Sequence, residues 1–135
     1  NTVYNNFSAD RMKLMGFSLY QRMTVLPEYR TAYIHLTKKD LADFNHVKGD
    51  TEGFVNLPLS IKGVVFSVFF MEKDNFVKIS FRSKGNFPSN DFASRYFAGG
   101  GHLNASGGEY FDTLDNTITY FLKVLKEQEE MLLKD

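Results

Sequence analysis

The chain has 135 residues, 43% hydrophobic and 16% aromatic, a size and composition that suit one globular domain with an ample core. Sixteen basic and sixteen acidic residues cancel, so no global field steers the protein toward nucleic acid or membrane, and any anion must be held by a local site. Cysteine is absent, which excludes a disulfide framework, a thiolate metal site and a cysteine nucleophile.

Ser8 to Met23 predicts a helix, with Ser8 as N-cap and Met12, Met15, Leu19 and Met23 along one stripe. The polar-aromatic lead from Asn1 to Phe7 reads as the end of a linker. Residues 1–25 are therefore assigned to an interdomain linker helix and 26–135 to one folded domain. After the Pro27 breaker, Tyr29 to Leu36 reads as a strand. Thr37 then caps a short helix, with Asp40 three residues on in a variant of the capping box. Glu52 to Leu59 predicts another short helix, stopped near Pro58.

Val64 to Glu72 is apolar on both faces, the mark of a central strand. The Lys73-Asp74-Asn75 corner returns the chain into Phe76 to Lys84 as a hairpin. Ser89 to Phe97 predicts a short helix. Thr113 to Lys134 predicts a long one, with Leu114, Ile118, Phe121, Leu122, Leu125 and Leu132 forming its apolar stripe. The expected fold is α/β: a mixed β-sheet flanked by helices, a single domain with a leading linker helix. The longest apolar runs are too short to span a bilayer and no signal segment opens the chain, so a cytoplasmic setting is expected. The start at Asn1 rather than Met predicts a fragment of a longer protein.

Two places carry chemistry. Alternation along the hairpin's second strand sends Val77, Ile79 and Phe81 to one face and Lys78, Ser80, Arg82 and Lys84 to the other. This cationic stripe is either a solvated outer face or a cleft wall for phosphate, whose oxygens an Arg fork matches in pairs. The second place is Gly99-Gly100-Gly101-His102-Leu103-Asn104-Ala105-Ser106-Gly107-Gly108. Its glycines cost backbone entropy, which a tight turn, a close approach of backbone N–H groups to an anion, or a floppy loop would each explain. His102 among glycines has few neighbours to bury it and is expected to face a cleft. From Phe76 to His102 four cations stand against one acid. His35, His46 and His102 lie far apart, no residues show metal-ligand spacing, and no Ser-His-Asp arrangement is legible, so no catalytic residue and no metal site is assigned to this chain.

The strand Lys78-Ile79-Ser80-Phe81-Arg82-Ser83-Lys84 followed by Gly99-Gly100-Gly101-His102-Leu103-Asn104-Ala105-Ser106-Gly107 resembles the signature of the C-terminal, DHH-associated domain of DHH-family phosphoesterases. Asn90-Asp91-Phe92-Ala93 between them resembles that family's helix start, and the similarity runs from about Tyr29 to the C-terminus. It looks closest to the nanoRNase and phosphoadenosine phosphatase branch. The resemblance implies a substrate-binding domain of a hydrolase acting on short RNA or nucleotide phosphates. Its metals, Mn²⁺ or Mg²⁺, would sit in an N-terminal DHH domain of the same polypeptide. This chain lacks the Asp-His-His triplet and is expected to be inactive alone. Arg82, Lys84, Gly99, Gly100, Gly101, His102, Asn104 and Ser106 are the implied substrate-binding residues. Oligomerisation is compatible with the sequence, and no membrane role is implied.

Two alternatives stand beside this reading. One is a RecJ-like exonuclease half holding longer single strands, against which the neutral charge speaks. The other is a non-catalytic RNA-binding or assembly module in which the glycine run is merely a turn. An inorganic pyrophosphatase or exopolyphosphatase relative stands further off, because that branch generally carries a different C-terminal domain.

Overall fold

The computed structural model describes residues 7–134. The linker lead assigned to Asn1 to Phe7 falls almost wholly outside them. Six strands form one sheet: β1 (Met23–Leu26), β2 (Thr31–Leu36), β3 (Phe66–Glu72), β4 (Val77–Ser83), β5 (Gly100–His102) and β6 (Ala105–Tyr110). Their order is β1-β2-β3-β4-β6-β5, with β2 and β3 parallel and the other neighbours antiparallel. The helices are α1 (Ala9–Gln21), α2 (Lys38–Asp43), α3 (Ser89–Tyr96), α4 (Leu114–Glu127) and α5 (Glu129–Leu132), with short 3-10 segments at Pro27–Tyr29 and Phe54–Ser60. The mixed sheet flanked by helices expected from the sequence is what forms.

The two-sided apolarity of β3 decides the centre. Phe66, Val68 and Phe70 point into a core closed by α3 and α4, where Phe81, Phe92, Phe97 and Phe121 are buried. Phe69 and Met71 point into a second core with Leu14, Ile34, Leu36, Phe54 and Val55. Burying each such side chain contributes roughly 1.5–3 kcal/mol, so the sheet must have a lid on both faces.

The leading helix therefore differs from a free linker. Leu14 is fully buried in the second core. The Arg11 guanidinium donates to the Gly49 and Glu52 carbonyls at 3.0 and 2.8 Å. Met23, expected at the helix end, instead pairs with Ile34 in β1, so a boundary after residue 25 cuts through a strand. The C-terminal helix also divides: α4 stops at Gln128, whose side chain donates to the Tyr96 hydroxyl at 3.0 Å while its N–H bonds the Leu125 carbonyl. Sequence periodicity cannot see such a bond. The glycine-rich run, for which a tight turn, a close backbone approach and a floppy loop all stood open, is the hairpin β5–β6.

The capping box at Thr37 forms as expected, and Asp40 does more than cap. Its carboxylate accepts from the Thr37 N–H at 3.0 Å and, in a two-pronged pair, from Arg22 Nε and Nη2 at 2.9 and 3.1 Å. Burial alone would raise the Asp40 pKa, but the Arg22 and Thr37 bonds outweigh it and hold the carboxyl below its ordinary 3.8. The stability it contributes is complete above about pH 4 and drains away as pH falls through the folded value. Asp40→Asn should cost about 1–3 kcal/mol at pH 7. Urea denaturation at pH 7 and about pH 3 checks both statements, since the variant should lose less stability on acidification than the parent.

Candidate functional site

Antiparallel register fixes which side chains share a face, because directly paired residues point the same way. Arg82 pairs with Ala105, and Ala105 with His102. Arg82 and His102 thus occupy one row on one face, two strands or roughly 10 Å apart. The next row holds Ser80, Gly107 and Gly100, and the row beyond has Lys78 opposite Glu109. Between the Arg82 stripe and His102 the sheet presents only Ala105, Gly107 and Gly100: a bare backbone floor with a cation on one side and an imidazole on the other.

The glycines divide by physical cause. A Cβ on Gly99 would fall 1.9 Å from the Gly107 carbonyl oxygen, so only glycine lets the chain leaving α3 cross β6. Gly101 has φ +149°, and a Cβ there would meet the Ala105 carbonyl oxygen and the Ser106 Cα at 2.7 Å. Gly100 differs. Its φ is ordinary, nothing lies within 4 Å of its Cβ position, and it is exposed. Packing does not demand glycine at 100, whereas close approach of a ligand to the floor would.

Arg82 is half-buried and spends one nitrogen on carbonyls, Nη1 reaching Phe81 O at 2.8 Å and Ser106 O at 3.5 Å. Its Nε and Nη2 meet no acceptor, and no carboxylate pairs with it among the described residues. Arg82, Ser80 and Lys78 line a hollow of about 290 Å³, roofed by the Lys48-to-Val55 segment. Lys48 and Glu52 of that segment face the same hollow. Arg11 holds the roof in place through its two carbonyl bonds. The roof is a site element that strand alternation alone did not reveal.

Three of the residues implied by resemblance do not join this floor. Ser106 points to the opposite, helical face, where its buried hydroxyl donates to Ser89 Oγ at 3.0 Å. Asn104 donates its amide to Ser83 Oγ at 2.9 Å and to the Gly85 carbonyl at 3.2 Å. Lys84 reaches the Leu59 carbonyl at 2.7 Å and lines a different hollow. Asn104 and Ser106 brace the Leu103–Asn104 turn. The Ser83 N–H, donating to Asn104 O at 3.0 Å, and the Ser89 N–H, donating to Leu103 O at 2.8 Å, tie that turn to β4 and α3. These bonds hold His102, the last residue before the turn, in register. Among the described residues no three His, Asp or Glu side chains converge as a metal-ligand group.

Comparison with known proteins bears on this geometry. The family model described as the DHHA1 domain matches residues 31–130. The bifunctional oligoribonuclease and PAP phosphatase NrnA of Bacillus subtilis is 32% identical over 120 residues, covering 87% of this chain and 37% of that protein. The NrnA of Thermus thermophilus is 32% identical over 80 residues, covering 58% of this chain and 24% of that protein. The crystal structure of an exopolyphosphatase-related protein from Bacteroides fragilis superposes with a TM-score of 0.94 at 47% identity, covering 98% of this chain and 38% of that one. The matches therefore span from about a quarter to little more than a third of the length of these longer relatives. A pGpG-specific phosphodiesterase from Vibrio shares the fold, with a TM-score of 0.62 at 12% identity over 87% of this chain and 38% of that one.

Proposed function

The chain belongs to the DHHA1 domain family, and on that premise we propose that it is the substrate-holding part of a DHH-family phosphoesterase acting on short oligoribonucleotides or nucleotide phosphates. The observation that carries this reading is the single row Arg82–Ala105–His102, closed beneath by Gly100 and Gly107. A terminal phosphate would take the one unengaged edge of the Arg82 fork, Nε with Nη2, where a charge-assisted pair is strongest. The base or ribose would lie on the bare floor, with the His102 ring beside it. Lys78 and Lys48 would add field at the hollow's mouth.

The metal ions that activate water in such an enzyme would belong to an N-terminal DHH domain. The share of this chain is to fix the other end of the substrate, which converts a diffusing strand into a positioned one. The floor is two strands wide and ends at the β5 edge, which favours short substrates over a long tracked strand.

Titration of the chain with 5′-phosphorylated oligonucleotides of two to about ten residues tests the reading. Affinity should level off by three or four nucleotides, and the chain should hydrolyse none of them with or without added Mn²⁺. Affinity that climbs steadily with length would overturn the short-substrate assignment in favour of an extended single-strand groove.

A further inference from the structure

A second hollow, of about 350 Å³, lies where β3 begins and β4 ends, on the α5 side of the sheet. Three cations enter it, Arg30, Lys84 and Lys134, between walls that include Val65, Phe87 and Met131. No lining residue is acidic, and none of the three cations pairs with a carboxylate among the described residues. Three cations around one hollow, none paired with a carboxylate among the described residues, repel one another and are stabilised by an anion.

Arg30 adds an independent sign. It adopts φ 52°, ψ 36°, a left-handed conformation that glycine takes without cost, yet the position carries the longest cationic side chain. Its Nε donates to the Gly63 carbonyl at 3.3 Å, leaving the two terminal nitrogens of the fork for another partner. Lys84, tethered to the Leu59 carbonyl, keeps two further N–H donors. Phe87 is almost fully buried, so its ring forms a fixed apolar wall, while Met131 is 38% exposed and supplies an adaptable one.

We propose that this hollow binds a nucleoside monophosphate, its phosphate among Arg30, Lys84 and Lys134 and its base against Val65, Phe87 and Met131. The volume suits a nucleotide-sized ligand and is too small for a long acyl chain. The inference does not rest on the Arg82 floor, which uses another face of the sheet.

Amide-resolved NMR titration of the chain with AMP, inorganic phosphate and adenosine is the test. AMP should shift the amides of Lys84 to Phe87 and Met131 to Lys134 saturably at micromolar to low-millimolar concentration, with phosphate and adenosine about tenfold or more weaker there. Arg30→Gly should weaken AMP at these amides about tenfold while moving Tm by only a few degrees, because glycine relieves the left-handed backbone. Lys134→Gln, at an exposed position, should weaken AMP severalfold and provides a second variant should Arg30→Gly fold poorly. No saturable shift at these amides, phosphate binding as tightly as AMP, or full affinity in both variants would each overturn the proposal. AMP shifts confined to Arg82, Gly100 and His102 would overturn it as well, leaving the floor as the one nucleotide site.

Discussion

Gly99→Ala is expected to destabilise the protein by about 3 kcal/mol or more. The added methyl would sit 1.9 Å from the Gly107 carbonyl oxygen and 2.7 Å from the Gly108 Cα, and both obstacles are backbone. No rotamer change clears them, so the strand leaving α3 must lift off β6. Gly108 is the reciprocal contact, since a Cβ there would meet the Phe97 carbonyl oxygen at 2.7 Å. Lifting the chain would break Glu109 N–H to Phe97 O at 3.0 Å and Gly99 N–H to Ala93 O at 3.1 Å. Gly100→Ala is the control: with ordinary φ and open space around its Cβ, it should change stability by less than about 1 kcal/mol. Denaturant unfolding of the two variants beside the parent decides the matter. Equal stabilities would mean that the crossing of the two backbones is not what requires glycine at 99.

Arg82→Ala is expected to lower affinity for a 5′-phosphorylated dinucleotide by about 10- to 100-fold, the value of losing a charged, two-pronged hydrogen bond. Stability should fall by less than about 1 kcal/mol, because Arg82 is half-buried and bonds only carbonyls that lie beside it in the sheet. Arg82→Lys keeps the charge but not the fork, so it should recover only part of the loss. His102→Ala should cost severalfold, since its exposed ring adds one contact and no packing. Calorimetric titration reads all three. Unchanged affinity in Arg82→Ala would mark that residue as ordinary surface.

The contrast between these two substitutions shows what the sequence made legible. The cationic stripe was readable because a strand's period of two is strict: Lys78, Ser80 and Arg82 share a face. The same strictness extended to the neighbouring strand would have placed Ala105 beside Arg82 and turned Ser106 away. That step needed the register of β4 with β6, which β-propensity could not supply for a run rich in glycine. Strands β5 and β6 were invisible for the same reason. They form because Gly99, Gly101 and Gly108 allow backbones to approach closely, a gain that arises only in the folded state. The edge strand β1 was hidden behind the helical spacing of Leu19 and Met23, and tertiary pairing with β2 overrode it. Local signals did better: Ser8 and Thr37 cap the helices they precede, and Thr113 caps α4. The DHH-associated resemblance pointed to the family that the DHHA1 match then showed. It did not tell bracing from contact, so Asn104 and Ser106 entered the implied site although both are engaged internally.

The most direct test of the floor is a crystal structure of the chain soaked with a 5′-phosphorylated diribonucleotide. The phosphate should lie within hydrogen-bonding distance of Arg82 Nε and Nη2, with a nucleoside over Gly100 and Gly107 beside His102. Clear density for the dinucleotide elsewhere, with Arg82 and His102 untouched, would contradict the account.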